Sequence, residues 1–468
     1  MPSVNQDQAL SLSLPRVIHV IGVGGPGMSA IASVLVGMGH AVSGSDVVES
    51  PVLDRLRSEG VDVHVGHSAD NIPIDVDAVV ISTAIPEDNL EVSVARSRNV
   101  PVVRRSELLP AIANERRTIA VAGTHGKTTT SSMLALVLMQ ANLSPSFLIG
   151  GDITQLGVNA QWSSGEWFVI EADESDGSGF AINHEALIVT NIEADHLEFH
   201  GTFENLRDAF ERFISATHGP VVLCADDDVT ANIAEGTSAV TYGQSETATV
   251  RIDGLVSSRS GVDFDVVVKG NTLGHVSVPV PGVHNALNAC GVIALALELG
   301  VSFEDAASAL AEFGGVRRRF EPRGEVDGIV FIDDYAHLPT EISAAISAGR
   351  DGQWSRVVAV FQPHRFSRTQ LLWREYADAF VGADVLVLTG IYPAGESPRE
   401  GVSGRLIVDA VSGAHQEQVI QYVEHRAELA EVVASILLEG DLCLTLGAGD
   451  ITRLSDEVQQ LLRGEAHE

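Results

Sequence analysis

The chain has 468 residues, 45% of them hydrophobic and 20% charged, which excludes a disordered or fibrous polymer and leaves room for about three domains. Its 63 acidic against 29 basic residues give a formal net charge of −34; a surface that wraps nucleic acid or docks on an anionic membrane is thereby disfavoured, while a small basic pocket is not. No apolar run is long enough for membrane insertion, the opening MPSVNQDQALSLSLPR does not read as a signal peptide, and Cys224, Cys290 and Cys443 form no CxxC pair, so the expectation is a protein of the reducing cytoplasm without disulfides or a thiolate metal site.

Strand and helix patterns alternate along most of the chain, which predicts an α/β protein with parallel sheets. The first domain is expected over residues 1–113, with strands at Val17–Val23, Ala41–Ser45, Val63–Val65, Ala78–Ser82 and Val100–Val103 and a helix from Pro26 to Met38 that Gly39 ends. The second, over 114–322, opens on the apolar strand Thr118–Ala122, followed by GTHGKTTT and a long helix. Two buried-looking strands, Trp167–Ile170 and Ala186–Thr190, end in acidic residues. Alternation from Thr249 to Val280 reads as antiparallel hairpins, and helices follow at His284–Leu299 and Phe303–Phe313. The third, over 323–468, repeats strand and helix, with strands at Val330–Ile332, Val357–Phe361, Val385–Leu388, Val419–Tyr422 and Leu442–Leu446. The fold class expected is therefore a Rossmann-like N-terminal domain, a central P-loop-type ATPase domain with an added antiparallel β region, and a Rossmann-like C-terminal domain.

The chemistry is concentrated at strand ends. Gly123-Thr124-His125-Gly126-Lys127-Thr128-Thr129 lies between a strand and a helix, where backbone N–H groups and a helix N-terminus meet phosphate oxygens. Lys127 is suited to the β- and γ-phosphates and the Thr128 hydroxyl to Mg²⁺. As a loop lysine, Lys127 is expected to contribute little to stability. Glu171, the first acid after its strand, and His196, in Asn191-Ile192-Glu193-Ala194-Asp195-His196, are candidate metal ligands on the same sheet edge. Gly22-Val23-Gly24-Gly25-Pro26-Gly27 fits GxGxxG, with Asp46 about twenty residues on; the pattern says only that a diphosphate meets a helix N-terminus, so NAD and any nucleoside diphosphate remain open. In the third domain, Asp333-Asp334-Tyr335-Ala336-His337 and Gln362-Pro363-His364-Arg365-Phe366-Ser367-Arg368 follow strands and suggest an anion pocket, and Arg317, Arg318 and Arg319 lie at the domain junction.

In order along the chain, GVGGPGMS, AGTHGKTTT, EADESD, NIEADH, HNALNA, RRRFE, DDYAH, QPHRFSRT, IYPAGE and LTLGAGD resemble the motifs of the Mur ligase family, from about Arg16 to Leu462. The resemblance implies an ATP-dependent, Mg²⁺-requiring ligase of peptidoglycan precursor synthesis, with the UDP-sugar on the N-terminal domain, ATP on the central one and the amino acid on the C-terminal one. It further implies the branch that joins L-alanine to the lactyl carboxylate of UDP-N-acetylmuramate; the alternatives are a murein-peptide recycling ligase and an NAD-dependent oxidoreductase. Carried over by motif, Lys127 and Thr128 hold phosphates and Mg²⁺, and Glu171 and His196 resemble metal ligands. His284, Asn285 and Asn288 resemble the adenine side, Arg319 a phosphate or substrate contact, and Asp334 a ribose neighbour. Gly24, Gly25, Asp46, Ser82 and Thr83 would hold the UDP moiety. Arg318, Tyr335 and His337 would bind substrate, and His364, Arg365 and Arg368 would line the alanine and acyl-phosphate end. Two departures stand out. Leu338 replaces the second histidine of the family's DDYxHHPTE, which puts any role of that position in doubt. From Leu197 to His218 there is no lysine of the kind that sister ligases carbamylate, as in the alanine-adding branch.

Overall fold

A computed structural model of the chain describes residues 10–82 and 84–464. They form two compact units, residues 10–82, 84–253, 266–274 and 287–310 in one and 254–265, 275–286 and 311–464 in the other.

The chain begins with a five-stranded parallel sheet of β1 (Val17–Ile21), β2 (Ala41–Asp46), β3 (Asp62–Val65), β4 (Ala78–Ile81) and β5 (Val102–Arg104), in the order β3-β2-β1-β4-β5. β1 and β4 are apolar nearly throughout because both faces are covered, and such strands read in the sequence as unbroken apolar runs. The helix Pro26–Gly37 starts with proline at its first turn and buries Ile31, Val34 and Leu35. Those side chains share a core with Leu148, Ala160, Phe168 and Ile170 of the next domain, so the first two domains are packed against each other within one unit.

The central sheet contains β6 (Arg117–Ala122), β7 (Ser146–Ile153), β8 (Val158–Gln161), β9 (Trp167–Glu171), β10 (Ala186–Val189), β11 (Val221–Cys224), β12 (Val240–Gly243), β13 (Val250–Ser258), β14 (Gly261–Val268) and β15 (Asn271–Val278). Its order is β15-β14-β13-β12-β11-β10-β6-β9-β7-β8. The strands from β7 through β9, β6, β10, β11 and β12 to β13 run parallel, and β8 is antiparallel on the edge. Two-residue turns join β13 to β14 and β14 to β15, a connection that only antiparallel neighbours permit. β6 lies between β9 and β10, so the loop after β6 is flanked by the acidic ends of both neighbours.

The third sheet is β16 (Glu321–Val326), β17 (Ile329–Asp334), β18 (Arg356–Phe361), β19 (Val385–Thr389), β20 (Val419–Val423) and β21 (Asp441–Leu446), in the order β16-β17-β21-β18-β19-β20. All pairs are parallel except the edge pair β16–β17. One apolar core on each face accounts for the fully buried Val358, Val360, Leu442 and Leu444. The sequence reading omitted β7, β8, β11, β12 and β16, and the strand expected at Val100–Val103 starts two residues later. Among the described residues no helix is long and apolar enough to cross a membrane.

Candidate functional site

In the first sheet the strand order reverses between β1 and β4, and ligands of such sheets bind outside the strand C-termini at that point. The Gly22–Gly27 turn leaves β1 there, Asp46 ends β2, and Ser82 follows β4; Thr83 lies outside the described residues. The Gly24 N–H donates to Asp46 Oδ2 at 2.8 Å, so Asp46 shapes the turn itself. No side chain caps the helix that begins at Pro26, and no acid lies in its first turn. The sequence reading missed Arg105. Its guanidinium lies against the space a Cβ at position 27 would take, with Nη1 3.1 Å and Cζ 3.3 Å from it, so a side chain there would have to push the arginine aside by a few tenths of an ångström. Arg105 makes no ion pair among the described residues. The readable signal was the Arg104-Arg105 pair at the end of an expected strand on this same edge. In the same domain, fully buried Glu91 accepts from Ser45 Oγ at 2.6 Å, Asn71 Nδ2 at 2.7 Å and the Ser68 N–H at 3.2 Å, with His67 Nδ1 at 3.1 Å. Burial opposes its ionisation, but these donors and His19 hold its pKa at about 2.

The loop after β6 is built from Gly123 to Gly126, and the helix Lys127–Gln140 starts at its end. Gly126 is left-handed, at φ +80°, and a Cβ there would lie 2.7 Å from Asn288 Oδ1. Asn288, buried, thus sits against the loop, on the helix Val283–Glu298. β10 fixes the other side. The Thr124 N–H donates to Asn191 O at 3.0 Å, the His125 N–H donates to Asn191 Oδ1 at 2.8 Å, and Thr190 Oγ1 donates to His125 O at 2.5 Å. Thr128 and Thr129 are buried in the first helical turn. Thr128 Oγ1 donates to Glu171 Oε2 at 3.1 Å, and Glu171 Oε1 accepts the Gly150 N–H at 2.5 Å. Two hard oxygens therefore meet beside the loop, donors of the kind that Mg²⁺ takes. Among the described residues no three His, Cys, Asp or Glu side chains gather into a metal cluster. His196, with φ +53°, has Nε2 3.1 Å from Asp195 Oδ2.

Lys127 departs from expectation. Its side chain is only 15% exposed, and Nζ donates to both oxygens of Glu174 at 3.0 and 2.9 Å and to Gly123 O and Thr124 O at 2.6 and 3.1 Å. Burial opposes the charge, yet Glu174, Asp173 and Glu171 outweigh it and raise the lysine pKa. The expectation that this lysine contributes little to stability is corrected: it neutralises a buried carboxylate.

In the second unit, Asp334 ends β17. Its Oδ1 accepts the Ala336 N–H at 2.7 Å and its Oδ2 the Phe320 N–H at 2.8 Å, and burial pushes its pKa to about 6 despite Arg319 nearby. Its carboxylate thus ties the arginine run to the loop after β17. Arg318 is committed inside the fold, donating to Gly447 O at 2.8 Å and Gly449 O at 3.2 Å, with Asp333 Oδ2 at 3.4 Å. Arg319 lies over the Tyr335 ring, 5.2 Å from its centroid, and 3.8 Å from Glu341 Oε1. His284 is pushed down to about 4 by burial, with the Arg319 charge adding; Asn285 Nδ2 donates to Pro281 O at 2.6 Å.

The sequence reading also missed Glu341, whose Oε2 accepts the N–H groups of His337 and Leu338 at 2.9 and 3.2 Å and so closes the start of the helix Pro339–Asp351. Leu338 is 5% exposed in the apolar core, so this position points away from the polar residues beside it, and leucine there removes no ligand. The His337 ring meets His364 edge-on at 5.9 Å, and His364 lies parallel to Tyr392 at 5.8 Å. Arg368 Nη1 donates to His364 Nδ1 at 3.2 Å. Burial, then His337 and the two arginines, push the His364 pKa down to about 3, so the ring is neutral and carries its proton on Nε2. Arg365 has φ +70° and ψ 137°, a conformation costly for a residue with a side chain, held by its N–H to Tyr392 O at 2.9 Å. Glu396 accepts the Ser367 N–H and hydroxyl at 2.9 and 2.5 Å, capping the helix that carries Arg368. The structure thus brings Tyr335, His337, His364, Arg365 and Arg368 to one edge of the third sheet.

Family models match the chain in three successive segments: Mur ligase family, catalytic domain, over residues 17–117; Mur ligase middle domain, over 121–296; and Mur ligase, glutamate ligase domain, over 318–449. Among curated relatives, the UDP-N-acetylmuramate–L-alanine ligase of Geobacter sulfurreducens is 46% identical over 93% of this chain and 95% of its own. That of Geotalea daltonii is 43% identical over 95% and 98%. Among solved structures, the UDP-N-acetylmuramate–alanine ligase MurC of Thermotoga maritima matches with a TM-score of 0.81 and 32% identity, covering 96% of this chain and all of that one. A murein peptide ligase from Psychrobacter arcticus shares the fold at a TM-score of 0.71 and 23% identity, over 97% of this chain and all of that one.

Proposed function

Because the chain belongs to the Mur ligase family, we propose that it joins L-alanine to the lactyl carboxylate of UDP-N-acetylmuramate at the expense of ATP, in the cytoplasm, as a step of peptidoglycan precursor synthesis. The near full-length likeness to curated ligases of that name carries this reading. It sets aside the oxidoreductase alternative, in which the phosphate loop at Gly123 has no role. A carboxylate is a poor electrophile, so the γ-phosphoryl group of ATP is first transferred to it, giving an acyl phosphate and ADP. The alanine amine then attacks the acyl carbon, and phosphate leaves from the tetrahedral intermediate.

Each group of residues has a part in this scheme. The glycine turn, Asp46, Ser82 and Thr83 hold the UDP moiety, and Arg105 adds a cation for its diphosphate. The loop N–H groups and Lys127 bind the β- and γ-phosphates, with Asn288 behind the loop; within the second unit, His284, Asn285, Arg319 and Asp334 are the nucleotide-binding candidates that the family motifs supply. Magnesium, held by Thr128 and Glu171 with His196 as a further candidate, would neutralise charge on the phosphate oxygens. Tyr335, His337, Arg365 and Arg368 orient the alanine carboxylate, and His364 donates its Nε2–H to an oxygen that gains charge.

Phosphate release, measured with UDP-N-acetylmuramate, ATP and a panel of amino acids, is expected with L-alanine and only weakly with other residues. A strong preference for a murein tripeptide over alanine would replace this reading with the recycling ligase, and release independent of sugar would end both. His364→Gln should lower turnover on the order of 10²-fold, as expected for a lost charge-stabilising donor. The acid limb of the pH–rate profile should stay in place, since a ring with a pKa near 3 is neutral above pH 5. A shifted limb would make His364 the titrating group.

A further inference from the structure

Glu174 has no part in the scheme above, although it lies deepest of the carboxylates beside the phosphate loop, with its side chain 1% exposed. Both its oxygens face Lys127 Nζ, and the two remaining Nζ contacts go to loop carbonyls, so the ammonium has no N–H left for a phosphate. The carboxylate is fixed from its own side. The Glu174 carbonyl accepts from His200 Nε2 at 2.8 Å and from the Gly177 N–H at 3.2 Å, which anchors the turn after β9 to the short helix Leu197–His200. Lys127 is thus gripped by a rigid acceptor that precedes the nucleotide, and a polyphosphate can engage the lysine only by taking it from Glu174.

We propose that Glu174 is a positioning residue that stands in for the phosphate in the nucleotide-free protein, keeping Lys127 aimed into the loop and surrendering it when ATP binds. This rests on the ligase reading only in that Lys127 binds phosphate. Because the exchange subtracts from affinity, it loosens ADP as well as ATP and so favours product release. A charge-assisted hydrogen bond contributes enough that its removal should tighten nucleotide binding about ten- to a hundredfold.

Glu174→Gln keeps the shape and removes the charge. Glu174→Asp keeps the charge but withdraws it by one methylene, and carries the test if the glutamine variant does not fold. By calorimetry on the full chain, both variants should bind ADP more tightly than the parent, with unchanged KM for the sugar and for alanine and an unchanged Mg²⁺ titration. Damage to the fold would loosen ADP, so the direction of the effect separates positioning from mere structure. Unchanged or weaker ADP binding, or a raised Mg²⁺ requirement, would overturn the proposal. Tightening by glutamine but not by aspartate would also overturn it, reducing the effect to simple charge repulsion. A parent protein that binds ADP but releases no phosphate with sugar and alanine would sink the ligase reading and leave this proposal standing.

Discussion

Lys127→Ala is expected to abolish phosphate release, and also to lower the melting temperature. A single charge-stabilising donor in a preorganised site contributes on the order of 10²–10³ in rate, and a lysine facing the transferred phosphoryl group should contribute at least that. The structural loss comes from Glu174, which is 1% exposed and would be left as an unpaired buried carboxylate. Breaking a buried ion pair from one side costs about 3–5 kcal/mol. The two effects separate in Lys127→Ala combined with Glu174→Gln, where no charge is stranded: stability should largely return, while activity should not. Thermal unfolding followed beside phosphate release makes the comparison. Near-normal turnover in the folded double variant would remove the phosphate-loop assignment.

Glu171→Gln should raise the Mg²⁺ requirement and slow the reaction on the order of 10–100-fold at fixed Mg²⁺, with partial recovery at high Mg²⁺. The carboxylate holds two partners at once, the Gly150 N–H at 2.5 Å and Thr128 Oγ1 at 3.1 Å. An amide has one acceptor oxygen, so with the Gly150 N–H on it the Thr128 hydroxyl must turn from donor to acceptor, and the negative charge that the cation prefers is lost. A Mg²⁺ titration of phosphate release checks this. A curve superimposable on that of the parent would move the metal away from Glu171, toward Asp173.

The buried parallel strands were legible because both faces are covered: β6 and β10 have no polar alternation to hide them, and the phosphate loop follows directly from β6. β16, EPRGEV, was not legible. It has a proline, a glycine and a single buried apolar side chain, and it is a strand because β17 offers it an edge. β7 carries two adjacent glycines, and β8 has only four residues. At the site, local motifs named the residues, but not what they touch. The grip of Glu174 on Lys127, the use of Asp334 as a tie between two backbone segments, and the inward turn of Leu338 all depend on chain segments brought together by the sheets. Arg105 was overlooked because a basic pair after a strand is common on any surface, and only the fold lays it against Gly27.

That contact constrains the history open to the protein. With the guanidinium against the space beside Gly27, a side chain at 27 is crowded for as long as Arg105 keeps its place, whereas a smaller residue at 105 would relieve the crowding. The two positions are therefore coupled: a change at 27 costs least where the arginine has been shortened or has room to shift. Drift at the glycine turn is gated by a residue from the far end of the same domain. At Gly27 the restraint comes from that neighbour and not from the backbone, which is not left-handed there.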